Sequence, residues 1–437
     1  MTAAPVTRRT GHDTPAGVAV DAAPRPTPSS TSGWWALLPA AVALCAGWFR
    51  LDTPVGVLAG LVFALFPTVS RYAQEARSYA LVTLAAVAAT WLFLRGVERP
   101  SRRRWWAYGI ALVIIGWLHF VALLVAVGHV GYLRRAVPAE VARWRYAVTS
   151  GLAMLGVLPL LVLASGQSGQ ISWVDNDWVA VQRFTESLTG TYAILGIVVT
   201  FGVLGLALAG PVRRPAVLML LAWAVLPPVI GYVTFAVLQL FLARYFLFTV
   251  PAWALLAAAG AAQLFRAVTR DRATAAALLG AVLLLPAIGY AGLPAHERVR
   301  SDEADYQPRY VEAVRHIAAR ARQDDGIAFN DGFGGSTDVA RKSANYGFRA
   351  GHQQPRDVFL ALSAADAGWL MARECVDATP CVGDTKRIWL IETGHPEDSL
   401  AGMPAGRGRF LRDRFEIRAV WRFDRVRVVL LERKGHG

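Results

Sequence analysis

Apolar runs, most of them 16 to 24 residues long, recur from Trp34 to about Tyr290 and are separated by short polar or Arg-rich gaps. A helix needs roughly 20 residues to cross the hydrocarbon of a bilayer. In that medium only helices and closed barrels satisfy every backbone amide and carbonyl. A chain of 437 residues would otherwise suggest two or three soluble domains; this patterning excludes that. The runs cover 34–49, 54–69, 79–96, 105–118, 121–133, 146–165, 191–210, 215–238, 246–266 and 274–293. Composition agrees, with 55% hydrophobic residues, 17% charged and a mean hydropathy of +0.38. The expected fold class is mainly α: a polytopic transmembrane bundle of about ten segments over 34–293, then a small α/β domain over 294–437. Residues 1–33, rich in Ala, Pro, Thr and Ser, read as a disordered tail rather than a signal peptide.

The net charge of +14 raises the question of nucleic acid. Its placement answers it. Only Lys342, Lys386 and Lys434 are lysine, and many arginines fall in gaps between apolar runs: Arg99, Arg102–Arg104, Arg134, Arg135, Arg213, Arg214, Arg266, Arg270 and Arg272. Arginines in short loops orient helices toward the cytoplasm, so no nucleic-acid partner is expected and the surrounding lipid is. The 105–133 stretch has basic loops at both ends, which requires an even number of crossings and predicts two short helices meeting near His119. Counted from there, 70–78, 166–190, 239–245 and the C-terminal domain face outward from a plasma membrane. The same count runs 54–69 from inside to outside and leaves the tail outside, in conflict with its arginines.

Cys375 and Cys381, in Glu374-Cys-Val-Asp-Ala-Thr-Pro-Cys381, suit a short-loop disulfide better than zinc, since no His lies nearby. A disulfide needs an oxidising compartment, which agrees with an extracytoplasmic domain. Within that domain 308–322 has a helical apolar period, and 326–330, 387–392, 415–422 and 426–431 read as strands.

Ionisable groups at a membrane face are costly and therefore functional candidates. Phe66-Pro-Thr-Val-Ser-Arg-Tyr-Ala-Gln-Glu-Ala-Arg-Ser-Tyr-Ala80 places Arg71, Glu75 and Arg77 at an outer helix end. Arg71 and Glu75 stand four apart, where a helical ion pair is possible. Arg77 could bind a phosphate, and Glu75 could accept a proton from a hydroxyl. The bland reading is a solvated loop with a weak pair. The outward loop holds Gln170, Trp173, Asp175, Asp177 and Trp178, a set suited to sugar or to an interfacial aromatic belt. Arg244, beside Tyr245, could hold a phosphate or snorkel to the interface. His119 and His129 lack ligand spacing and read as structural. Pro227-Pro228 is expected to interrupt its helix.

Ser70-Arg-Tyr-Ala-Gln-Glu-Ala-Arg-Ser-Tyr-Ala80, with Gly56–Pro67, Gln170-Ile-Ser-Trp173 and Ala243-Arg-Tyr-Phe-Leu-Phe248, resembles bacterial membrane glycosyltransferases of family 39. These are related to protein O-mannosyltransferases and to the lipid A aminoarabinose transferase. The resemblance runs from about Trp34 into the C-terminal domain. It implies a GT-C fold, a sugar donor on polyprenyl phosphate, and transfer to an acceptor on the outer membrane face. With such a donor, Arg71, Arg77 and Arg244 are the expected ligands of its phosphate. Tyr72, Gln170, Trp173, Asp175 and Tyr245 fall to the sugar or acceptor. No cofactor is certain, no metal ligands are assigned, and a divalent metal is possible. The family's general base is a carboxylate in a first outward loop reading like Leu-Trp-x-Asp-Glu-Ala. Here Gly47-Trp-Phe-Arg-Leu-Asp-Thr-Pro54 passes directly into Val55-Gly-Val-Leu-Ala-Gly60, like the start of the family's third helix. The first outward loop and second helix are thus missing. That accounts for the topology conflict and removes the catalytic Asp-Glu pair. Asp52 matches a position before the motif and does not inherit its role; Glu75 is the substitute candidate. The expected function is a mannosyltransferase-like membrane enzyme, inactive if nothing replaces the base. The rivals are a non-catalytic binder of lipid-linked sugar and a transporter or flippase.

Overall fold

The computed structural model describes residues 52–73, 75, 77–136, 140–165, 176–301, 309–330, 337–349, 354–369, 371–394 and 397–435. The expected 34–49 span lies outside them. The main helices in order are Thr53–Ala64 (α1), Pro67–Ala73 (α2), Tyr79–Glu98 (α3), Arg102–His119 (α4), Val125–Ala136 (α5), Glu140–Ser165 (α6), Trp178–Thr189 (α7), Tyr192–Ala207 (α8), Arg214–Val233 (α9), Val250–Arg266 (α10) and Ala273–Arg300 (α11), with one further helical turn at Phe235–Leu238. A 3-10 segment, Phe120–Leu124, joins α4 to α5, and another, Ala243–Thr249, leads into α10. Six helical stretches among the described residues are long and apolar enough to cross a membrane, or eight if α1–α2 and α7–α8 each form one bent span. The chain is a multi-pass membrane protein.

The Ala-rich helix α10 sits at the centre, against α1, α8, α9 and α11. Small residues let helices approach where no water drives them together. A Cβ at Gly260 would stand 1.8 Å from the Phe201 carbonyl oxygen, and one at Gly205 would stand 3.2 Å from the Gly260 Cα. The α8–α10 crossing therefore excludes any side chain at Gly260.

The 102–133 stretch turns back on itself. Tyr108 on α4 donates its hydroxyl to His129 Nδ1 on α5 at 2.9 Å, and His129 Nε2 donates to Thr90 Oγ1 on α3 at 3.1 Å. In one straight helix the 21 intervening positions would span about 31 Å. Phe93 stacks on the His129 ring at 4.4 Å and meets Trp105 edge-on at 6.3 Å. His129 is fully buried with both nitrogens satisfied, a structural residue as expected.

Three local expectations are corrected. Helix α9 runs unbroken through Pro227 and Pro228; in membrane helices neighbours and local adjustment re-satisfy the groups that Pro frees. Helix α11 continues past residue 293, through Pro294, to Arg300. Its last turns are held from the side, by His296 on the Leu65 carbonyl at 3.0 Å and Arg298 on Glu186 at 3.6 Å. The run at 54–69 is two helices bent by 65°, not one.

The bundle has two distinct ends. Asp52, just before α1, pairs with Arg266 and, at 3.9 Å, with Arg213. This basic end also carries the α3–α4 link, where Ser101 caps α4 by accepting from the Arg104 amide at 3.4 Å. The far end gathers the α1–α2 break, the α4–α5 reversal, α7 and segment 243–249. Helix α11 arrives there, so the chain leaves the bundle at that end.

The C-terminal domain contains Tyr310–Ala318 (α12), Gly326–Asn330 (β1), Thr337–Phe348 (α13), Arg356–Asp357 (β2), Leu360–Leu362 (β3), Arg373–Glu374 (β4), Ala378–Val382 (α14), Arg387–Thr393 (β5), Ala405–Arg414 (α15), Phe415–Phe423 (β6) and Val426–Arg433 (β7). Five strands form one sheet in the order β2-β1-β5-β7-β6; β2, β1 and β5 run parallel, while β7 is antiparallel to both β5 and β6. One face packs Trp389, Ile391, Phe329 and Val428 against α12 and α13; the other packs Ile388, Leu390, Val429 and Leu431 against Leu411 and Phe415. Cys375 and Cys381 are joined in a disulfide, with Cα atoms 6.5 Å apart.

Candidate functional site

The far end is built around one helix break. Pro67 has no N–H to continue the α1 ladder, and the residue before a proline is disfavoured in the α region. The chain bends at Leu65–Phe66 and α2 projects Arg71 and Tyr72. Helix α2 ends at Ala73, so Arg71 and Glu75 do not share a helical face. The pair anticipated between them is replaced: Glu75 Oε2 lies 3.7 Å from Arg77 Nε. Arg71 instead lies over the Tyr72 ring, its guanidinium carbon 5.4 Å from the ring centre.

The chain reversal at His119 and segment 243–249 complete the site. Tyr72 meets Tyr79 edge-on at 5.5 Å, Tyr79 lies 6.3 Å from the His119 ring, and His119 lies 4.9 Å from Tyr245. These four rings form an arc. Arg77 Nη1 donates to the Tyr79 hydroxyl at 3.4 Å, and Ser78 Oγ donates to the Leu118 carbonyl at 3.2 Å, which ties the 75–79 loop to the end of α4. Arg244 lies over Tyr245 at 5.8 Å. Arg71 and Arg244 thus reach the arc at its two end rings, Tyr72 and Tyr245. Among the described residues three guanidiniums share the rim with one carboxylate, that of Glu75, a balance that favours an anion.

Beneath the arc lies a small, half-open and largely apolar recess, walled by Phe63, Val69, Tyr72, Ala80, Leu247 and Val250. An anion-favouring rim above an apolar slot suits an amphiphile with a charged head. Among the described residues no group of three or more His, Cys, Asp or Glu could hold a metal.

The structure thus brings together Arg71, Tyr72, Glu75, Arg77, Arg244 and Tyr245. Gln170, Trp173 and Asp175 lie outside the described residues. Asp177 caps α7, accepting from the Ala180 amide at 2.7 Å, and Trp178 opens that helix exposed. Asp52 stands at the basic end, a full helix away, and has no part in the site. Sequence reasoning missed Tyr79 and read His119 as structural. Tyr79 joins the arc through its contact with Tyr72, and His119 joins it at the chain reversal after α4; the expected turn near His119 was the one available signal.

Among solved structures the chain is similar to ArnT from Cupriavidus metallidurans, determined bound to undecaprenyl phosphate. The TM-score is 0.52 at 13% identity, over 92% of this chain and 83% of that one. A weaker likeness, with a TM-score of 0.44 and 17% identity, joins 92% of this chain to 33% of the arabinofuranosyltransferase AftD from Mycobacteria. No family model and no curated protein matches the chain. At such identity the likeness to ArnT shows the fold, which is of the GT-C class implied by the sequence resemblance.

Proposed function

We propose that the chain is a membrane glycosyltransferase that takes a sugar from a polyprenyl-phosphate donor and passes it to an acceptor hydroxyl at the far end of the bundle. The observation that carries this reading is the convergence of Arg71, Arg77 and Arg244, from two distant stretches of sequence, on a ring of tyrosines above an apolar recess. The undecaprenyl phosphate held by the ArnT structure supports the same donor class. The recess takes the first prenyl units, the guanidiniums take the phosphate, and Tyr72 and Tyr245 offer ring faces to the sugar. In the reaction the acceptor oxygen bonds to the anomeric carbon while the bond from that carbon to phosphate breaks. The hydroxyl proton passes to the Glu75 carboxylate, and the arginines stabilise the charge gathering on the departing phosphate. Membership of family 39, a mannosyl donor and an extracytoplasmic site are the finer form of the proposal and rest on the sequence resemblance and the charge pattern.

A second reading, a non-catalytic holder of lipid-linked sugar, is favoured by one observation. Glu75, the one carboxylate among the described rim residues, is paired with Arg77, and the sequence resemblance gives the chain no counterpart of the family's base loop. One experiment separates the two. The chain in nanodiscs is given polyprenyl-phosphate mannose, and both bound lipid and transferred sugar are measured. Glu75→Gln is expected to lower transfer at least about 100-fold with donor binding retained. Binding without transfer in the wild-type chain establishes the holder, and no binding of the donor or its bare phosphate carrier defeats both.

A further inference from the structure

The direction of α2 decides where Arg71 and Tyr72 point, and this direction is set from outside α2. At the break, the Phe66 amide turns back to the Phe63 carbonyl at 3.2 Å, and the Val69 and Ser70 amides both donate to the Phe66 carbonyl, at 3.0 and 3.4 Å. Pro67 has no amide hydrogen. The backbone ladder therefore passes over the Leu65 carbonyl. His296 Nε2, on the last turns of α11, donates to that carbonyl at 3.0 Å. This bond fixes the Nε2–H tautomer, because the acceptor has no proton to give.

The rest of the break sits in a socket. Gly190, at φ +95°, presses its backbone on Pro67, where an added Cβ would come within 2.9 Å of Pro67 Cγ. A Cβ at Gly292 of α11 would reach Pro67 Cγ at 3.4 Å. Thr68 Oγ1 donates to the Ser187 carbonyl of α7 at 3.2 Å, and Thr191 Oγ1 to the Ala291 carbonyl of α11 at 3.1 Å. The α7–α8 junction and α11 are thus locked together around the break. Within the socket, the His296 hydrogen bond is a directional contact on the hinge carbonyl.

We infer that His296 is a positioning residue for the site: by holding the Leu65 carbonyl it fixes the angle at which α2 presents Arg71 and Tyr72 to the ligand phosphate. This rests on the reading of the far end as a phosphate-binding site. Helix α2 is about 10 Å long, so a swing of about 10° displaces its far end by about 2 Å. A shift of that size undoes the registry of charge and ring on which such a site depends.

The test uses the full chain with spin labels on Ser70→Cys and Gln182→Cys, one on α2 and one on α7, in a background without Cys45. Distance distributions, thermal midpoint and undecaprenyl phosphate binding by native mass spectrometry are compared for three chains. His296→Gln keeps an N–H donor and is expected to match the wild type in all three. His296→Leu has no donor. It is expected to shift or broaden the distance distribution by about 2 Å and weaken lipid binding about tenfold at an unchanged midpoint. If the Leu chain does not accumulate, His296→Phe, which keeps a ring without a donor, replaces it. A wild-type distance distribution in the donor-less chain overturns the inference. So does collapse of both donor-less chains with Gln intact, which would make His296 a stability residue. If the wild-type chain binds no undecaprenyl phosphate, the reading of the site falls, while the distances still decide the role of His296.

Discussion

Individual side chains divide into those that bear on ligand and those that bear on stability. Under the proposed function Arg244 belongs to the first group. Arg244→Gln is expected to weaken polyprenyl-phosphate binding about tenfold or more, whereas Asp52→Asn at the opposite end leaves it unchanged, both read by native mass spectrometry. In the C-terminal domain two residues set opposing responses to pH. Burial pushes Glu392 up from its ordinary 4.5 to about 7, against the pull of Arg427. The folded domain thus holds a proton that the unfolded chain releases, and stability falls as pH rises from about 4.5 to about 7. Burial among Trp421, Phe423 and Trp389 pushes His316 down from 6.5 to about 4. The folded domain there lacks a proton that the unfolded chain binds, so stability rises with pH from about 4 to about 6.5. In the wild-type chain the two slopes offset each other. Glu392→Gln should expose the rising slope and His316→Phe the falling one, measured as hydrogen-exchange protection of β5 and β7 across that pH range. At this scale the sequence showed the charged half of the site, because arginines and a glutamate at the end of an apolar run stand out. It hid Tyr79, His119 and His296, because an isolated aromatic or histidine carries no sign of what a distant helix will bring to it.

Elements were more legible than their junctions. The apolar runs and the four long strands were readable because hydrophobic period and length are local properties. The bend between α1 and α2 and the long continuation of α11 were not, since both depend on packing from elsewhere in the chain. Two glycines make the point testable. Gly260→Val would drive a side chain into the Phe201 carbonyl, and backbone cannot yield as a side chain does. The expected loss is about 3 kcal/mol or more, seen as a lowered thermal midpoint and poor recovery in detergent. Gly190→Ala combines a positive φ with pressure on Pro67. It should tilt α2 and reduce binding of the phosphate lipid more than it lowers the midpoint, whereas Gly196→Ala, with open space around it, should do neither.

For the molecule as a whole, the two ends of the bundle make a statement about sidedness. A membrane-impermeant thiol reagent applied to intact cells is expected to label Arg77→Cys and Lys434→Cys, and to reach Arg270→Cys only after permeabilisation. Labelling of Arg270→Cys in intact cells, with Arg77→Cys and Lys434→Cys reached only after permeabilisation, would reverse the assignment of the site and the C-terminal domain to the outer face. The expectation of a missing first loop, by contrast, falls on residues before Asp52, which lie outside the described structure. The final strand adds a constraint of another kind. Strand β7 comes after every one of its partners in the chain, yet lies in the interior of the sheet between β5 and β6. The sheet cannot close until residues 426–433 have been delivered, so it is sealed only after β1, β2, β5 and β6 have been made. A chain cut short before Val426 would carry an intact bundle with an unsealed sheet, and quality-control proteases acting on exposed strand edges would read it as incomplete.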